Sequence, residues 1–172
     1  QWYRMGRAQN LDEFKDAMRI HALAMFNTGY GDRDGNIFYV YNALLPERAD
    51  GHDWSGTVPG NTRDTLWKEY RPFDELPIVE NPKSGFIQNC NSDPFQTTIG
   101  EDNPDESAFS ENYGIEKWMT NRARRAVELY GGDDSINHDE FFRYKYDKTY
   151  SEKSELRMQV VNFLDAQPES NG

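Results

Sequence analysis

Two asparagines, Asn89 and Asn91, close the run Gly85-Phe86-Ile87-Gln88-Asn89-Cys90-Asn91. An asparagine amide can donate to a developing oxyanion, which stabilises a transition state by about 3 kcal/mol when the amide is held rigidly away from water. The β-branched and aromatic content of the run predicts a short strand. That strand would set Asn89 and Asn91 on one face and Cys90 on the other, with Ser92-Asp93-Pro94-Phe95 as the following turn. Asparagines also cap loops without any catalytic role, so chemistry alone leaves both readings open. Arg122, Arg124 and Arg125 lie in the middle of a helix expected from about 116 to 130, stopped by Gly131-Gly132, with Trp118, Ala126 and Leu129 inward.

The other reactive residue types fit less chemistry. Cys90 has no basic residue or histidine close to it in sequence and reads as a buried structural thiol. His21, His52 and His138 show no metal-ligand spacing. No serine sits in a Gly-x-Ser-x-Gly elbow. Asp133 to Glu140 imitates the back half of a calcium-binding EF-hand loop. Its front fails, because the first and third ligand positions fall on Leu129 and Gly131 and the required glycine is Asp134. Ser135 or Asn137 is better read as the cap of the next helix. Asp32 and Asp34 belong to the tip of a hairpin, where Asp-Gly-Asn needs no further explanation.

These residues must be positioned by surrounding elements. Asn10 with Glu13 forms a capping box, and Leu11, Phe14, Met18, Ala22 and Met25 recur at helical spacing, predicting a helix over roughly 11–25. Residues 26–31 and 37–43 flank Asp32-Arg33-Asp34-Gly35-Asn36 and read as a β-hairpin. Between Leu44 and Pro82, four prolines and isolated rings predict a long ordered loop pinned by aromatics. Residues 100–112 form an acidic loop, and short helices are expected near 138–147 and 151–165. The elements do not alternate as βαβ units, which indicates an α+β class or part of a larger layered fold.

Composition bounds the rest. Leu, Ile, Val and Phe make up about 19% of the 172 residues, near the limit where order fails. The 10 Phe, 10 Tyr and 4 Trp compensate by offering large apolar areas for burial. A net charge of −11 disfavours general binding to nucleic acid or to anionic membranes. No apolar run is long enough to span a membrane, and the start Gln1-Trp2-Tyr3-Arg4 lacks the apolar stretch of a signal peptide. The single cysteine forbids an internal disulfide and a multi-thiolate metal site. The opening without Met and the polar end Gln167-Pro168-Glu169-Ser170-Asn171-Gly172 fit a processed or excised piece.

The order of segments resembles the penicillin amidase (penicillin acylase) family of N-terminal nucleophile hydrolases. The resemblance is carried by 26–39, by Asn42 through Pro46, by Val58-Pro59-Gly60, Trp67, Glu75-Leu76-Pro77 and Asn81-Pro82, and by Gly85 through Asn91. The helix with Arg122-Ala123-Arg124-Arg125 continues it. Thr65-Leu66-Trp67 and the Gln-Asn-x-Asn wording are more similar to the acyl-homoserine lactone and aculeacin acylase branch. The resemblance covers about 10–165, so 1–172 reads as one segment of an acylase large subunit, with 166–172 as a flexible tail.

That resemblance implies an α+β segment of the αββα sandwich of N-terminal nucleophile hydrolases. In such enzymes an autoproteolytic precursor exposes a serine whose own amino group is the general base. No counterpart of that serine is present in 1–172, so the chain alone is expected to be inactive. Carried over residue by residue, the side-chain half of the oxyanion hole falls on Asn91 and the orienting arginine on Arg122, with Arg125 the neighbouring candidate and Asn89 a supporting residue. No cofactor is implied. Some members bind calcium partly through an acid of the acidic loop, where Asp102 and Asp105 are equal candidates and neither is assigned. The implied partners are the remaining segments of the same precursor (the small subunit and the N-terminal part of the large subunit) and an acylated amide substrate, with a periplasmic or secreted location. The competing expectations are a non-catalytic acylase-like binding or structural domain, and a calcium-binding module centred on 133–140.

Overall fold

The structure, a computed structural model, describes residues 1–166, so all but the first residue of the expected flexible tail lies outside the described residues. A one-turn helix α1 (Trp2–Met5) precedes α2 (Leu11–Met18). The Asn10 side chain accepts from Glu13 N at 2.9 Å, and the Glu13 carboxylate accepts from Gln9 N at 2.9 Å, one residue earlier than in a standard capping box. Leu11, Phe14, Ala17 and Met18 form its buried face.

The helix ends seven residues before the boundary expected at 25. His21 takes a left-handed backbone, φ +53°, and Gln1 Oε1 accepts from Ala22 N at 2.8 Å and from Leu23 N at 3.2 Å. These backbone groups are satisfied by a residue 21 and 22 positions away rather than by another helical turn. Met25, read as a helical apolar position, instead begins strand β1.

Strands β1 (Met25–Gly31) and β2 (Ile37–Ala43) form the expected hairpin, pairing antiparallel from Met25↔Ala43 to Gly31↔Ile37. Asp32 organises the tip. Its Oδ1 accepts from Asp34 N and Asn36 N, both at 2.9 Å, and Gly35 supplies the left-handed position at φ +90°. A third strand, β3 (Ile78–Glu80), adds antiparallel to β2 and gives the order β1-β2-β3. It lies within the stretch expected to be loop, so that stretch is irregular only in part.

As the central strand, β2 is buried almost throughout, and Phe38, Tyr39 and Val40 are each at most 1% exposed. They pack with Leu11, Phe14, Met18, Leu45, Phe73, Leu76, Val79, Phe95 and Ile115. Rings dominate this core, as the composition requires.

Two arginines hold the irregular loop. The Arg48 guanidinium lies between Trp54 and Trp67, 5.4 Å and 5.2 Å from the ring centres, and donates to Asn112 O at 2.7 Å. Arg71 lies over Tyr113 at 4.8 Å and Phe109 at 5.8 Å and donates to Tyr113 Oη at 2.6 Å. Both clamp 44–82 against the acidic segment, which folds into short 3-10 turns at Gly100–Asp102, Glu106–Ala108 and Glu111–Tyr113.

Helices α3 (Asn121–Gly131), α4 (His138–Lys145) and α5 (Glu155–Asp165) complete the described chain. Helix α3 starts later than 116 because Thr120 is its N-cap, and Trp118, expected inward, is 57% exposed on the segment before it. Ala123 is its fully buried residue. Asn137 caps α4, and Glu140 completes a capping box by accepting from Asn137 N at 3.0 Å. The carboxylate that a calcium loop would need is therefore engaged in capping the helix.

Hydrogen-bonded carboxylates set the acid response. Asp32, Asp74, Asp133 and Asp147 are held below the ordinary carboxylate value, chiefly by hydrogen bonds from Asn36, Arg19, Tyr144 and Arg125 respectively. Their folded state favours the ionised form. They therefore stabilise above the unfolded pKa of about 4, and that stabilisation is lost as the pH falls through the depressed values. Asp93 is opposite: burial pushes its pKa up, so its contribution favours folding at low pH and fades as the pH rises through its folded pKa. Asp53 and Asp105 are depressed in the same way by Ser55 and Ser107, and burial lowers the pKa of His21, so the melting temperature should decline gradually from about pH 7 as His21 is driven to charge and more steeply below about pH 4. Circular-dichroism melts across that range check this, and a melting temperature that rises on acidification would refute it.

Candidate functional site

The run 85–91 is not a strand. Gln88 N donates to Thr97 O at 2.8 Å, and Gln88 Nε2 donates to Gln96 O at 2.7 Å and to Ser92 Oγ at 3.3 Å. These bonds close residues 88–97 into a loop, so the groups that a ladder would use are spent locally. At its tip Asn91 adopts φ +58°, a left-handed conformation that asparagine tolerates better than most residues. Asn89 and Asn91 are exposed and Cys90 is half-buried. Burial pushes the Cys90 thiol pKa up, and the nearby Arg122 charge offsets part of that shift.

Arg122, in the first turn of α3, reaches this tip. Its Nη2 donates to Asn91 Oδ1 at 2.7 Å and to Cys90 O at 3.3 Å. Because Oδ1 is the accepting atom, the Asn91 amide nitrogen is left pointing away from the guanidinium as a free-facing donor. Asn89 braces the same turn: its Oδ1 faces Asn91 N at 3.4 Å and its Nδ2 donates to Ser92 O at 3.3 Å.

The neighbouring arginines are engaged elsewhere. Arg125 forms a fork with Asp147, at 3.1 Å and 3.2 Å, and pairs with Glu128. Arg124 donates to Lys153 O at 2.7 Å and pairs with Glu155. Three arginines within four residues thus point in three directions around α3, and only Arg122 meets the asparagines.

A cavity of about 470 Å³ opens beside this contact, lined in part by Cys90, Arg122, Arg125, Tyr130 and Tyr144. A larger one, about 850 Å³, lies along another face of α3 by Trp118, Arg124 and Leu156, and neither Asn91 nor Arg122 lines it.

The residue overlooked in the sequence is Thr120. Its Oγ1 accepts from Ala123 N at 3.0 Å, capping α3, and donates to Cys90 O at 2.9 Å. A Thr three residues before Ala123 is a readable N-cap signal, but its second bond depends on tertiary structure. No helix among the described residues is long and apolar enough to cross a membrane.

The chain is similar to known penicillin acylases. Over 93 residues the chain is 40% identical to penicillin G acylase of Escherichia coli, a match covering 54% of the chain and 11% of that protein. Over 102 residues it is 29% identical to the penicillin acylase 2 proenzyme of Pseudomonas sp. (strain SE83), covering 59% of the chain and 12% of that protein. The fold is similar to that of a thermostable penicillin G acylase from Alcaligenes faecalis, with a TM-score of 0.71 at 24% identity, covering 99% of the chain and 29% of that protein. The chain therefore spans about a tenth of the curated relatives' length and under a third of the structural neighbour's. The model of the penicillin amidase family matches residues 1–171, and the chain belongs to that family.

Proposed function

We propose that the chain is part of the large subunit of an N-acyl amide hydrolase, in which Asn91 supplies the side-chain half of the oxyanion hole and Arg122 orients it. The observation that carries this reading is the 2.7 Å bond from Arg122 Nη2 to Asn91 Oδ1. It fixes which edge of the amide is a donor and polarises the Nδ2 hydrogens toward an incoming carbonyl oxygen. The guanidinium also places a fixed positive charge near the site, which would lower the pKa of a nearby amine and keep it available as a general base.

Both side chains are exposed on this segment. An oxyanion donor contributes most where water is excluded, so the function requires further segments of the same precursor to supply the nucleophile and to cover the pair. The exported location and the autoproteolytic maturation implied by the family belong to this same proposal.

The test begins with intact-mass measurement under denaturing conditions on the natural enzyme, looking for companion chains, one of them beginning with Ser, Thr or Cys. Hydrolysis of penicillin G and of an N-acyl-homoserine lactone is then measured side by side. Turnover of either by the assembled enzyme supports the proposal, and the ratio decides between the penicillin and homoserine lactone branches. A protein that occurs only as this segment and cleaves no acyl amide would instead be a non-catalytic acylase-like domain.

A further inference from the structure

We infer that Thr120 is a positioning residue that clamps the Asn91 turn to the N-terminus of α3; the inference rests on Asn91 acting as the oxyanion donor. Three bonds converge on two atoms. Thr120 Oγ1 accepts from Ala123 N at 3.0 Å while donating to Cys90 O at 2.9 Å, and Cys90 O also accepts from Arg122 Nη2 at 3.3 Å. The hydroxyl thus ties the backbone immediately before Asn91 to the helix that carries Arg122.

A second tether supports the clamp, since Asp93 N donates to Trp118 O at 3.1 Å. The turn is held on both sides of Asn91, by Cys90 O before it and Asp93 N after it, and both tethers end on the segment leading into α3. The clamp has work to do. Asn91 itself sits at φ +58°, in a conformation local preference does not favour, and its side chain is exposed, so packing does not fix it. Without the hydroxyl, the backbone before Asn91 would be held to α3 only by the longer 3.3 Å bond from the exposed Arg122 side chain. A displacement of about 1 Å at a catalytic group can cost up to 100-fold in rate.

The two duties of Thr120 separate by substitution. Thr120→Asp keeps a strong N-cap acceptor for Ala123 N but cannot donate to Cys90 O, and its charge repels that carbonyl. Thr120→Ser keeps both bonds. In the complete acylase, Thr120→Asp should lower kcat about tenfold with KM and melting temperature nearly unchanged, and Thr120→Ser should stay within about twofold of the parent. Thr120→Val, which loses both bonds, should lose kcat and also melting temperature.

A double-mutant cycle with Asn91→Ala makes the result decisive. If Thr120→Asp lowers kcat in the parent but adds no further loss to the residual turnover of Asn91→Ala, the clamp acts through Asn91. Independent, multiplicative losses would overturn the clamp while leaving the oxyanion role intact. An Asn91→Ala enzyme with full activity would remove the underlying reading instead. Parent-like kcat in Thr120→Asp would show that the hydroxyl serves the helix alone.

Discussion

Asn91→Ala in the complete acylase should lower kcat by roughly 100- to 1,000-fold, the loss expected when one donor of an oxyanion hole is removed, with KM changed little. The substitution removes a donor that the substrate's ground-state carbonyl barely needs and the tetrahedral oxyanion does. Its backbone consequence must be separated from its chemical one. At φ +58° an alanine adds about 1 kcal/mol of local strain that asparagine bears more easily. Asn91→Gly relieves that strain while still deleting the amide. Equal losses in the two variants would assign the effect to the amide. Recovery in Asn91→Gly would mean that the turn, not the donor, mattered, and unchanged turnover in both would sink the assignment.

The second large effect is expected at Arg122. Arg122→Lys keeps a positive charge but loses the planar fork that holds Asn91 Oδ1 and Cys90 O together. It should cost about 30- to 100-fold in kcat through misorientation. The acidic limb of the pH–rate profile, where the base amine loses its proton, should stay where it is, because the charge facing the amine persists. Arg122→Met should show the same loss and also move that limb to higher pH, since removing a neighbouring cation raises an amine's pKa. Arg125→Lys is the control: its guanidinium is bound to Asp147, so turnover should change by about threefold at most. The reverse ranking of Arg122 and Arg125 would refute the assignment.

The parts of the fold legible in the sequence are those whose determinants are local. The hairpin was readable because Asp32 and Gly35 build the turn within the turn itself, and α2 began where Asn10 and Glu13 said it should. The end of α2 was not readable, because Gln1 across the fold captures the amides of Ala22 and Leu23. Strand β3 is three residues between Pro77 and Pro82 and exists because β2 offers an edge to pair with. The run 85–91 has strand composition, but Gln88 turns it into a closed loop through Gln96 and Thr97. For the site, the pair Asn91 and Arg122 comes from a resemblance, with Arg125 as the neighbouring candidate; that Arg125 is bound by Asp147, 22 residues on, is a tertiary contact that no local pattern announces. Trp118 was misplaced for a related reason: the helix it was assigned to begins after it.

The clamps on the long loop use a different kind of anchor from the contacts around α3. Arg48 between Trp54 and Trp67, and Arg71 over Tyr113 and Phe109, are guanidinium-on-ring contacts, and a guanidinium keeps its proton through any acid or mildly alkaline solution. The bonds of Arg125 to Asp147 and of Tyr144 to Asp133 depend on carboxylates that acid neutralises. Acidification should therefore act on one kind of anchor and spare the other. The bonds of Arg125, Tyr144 and Arg19 to their aspartates would weaken together, while the ring contacts of Arg48 and Arg71 would go on holding the interior of 44–82.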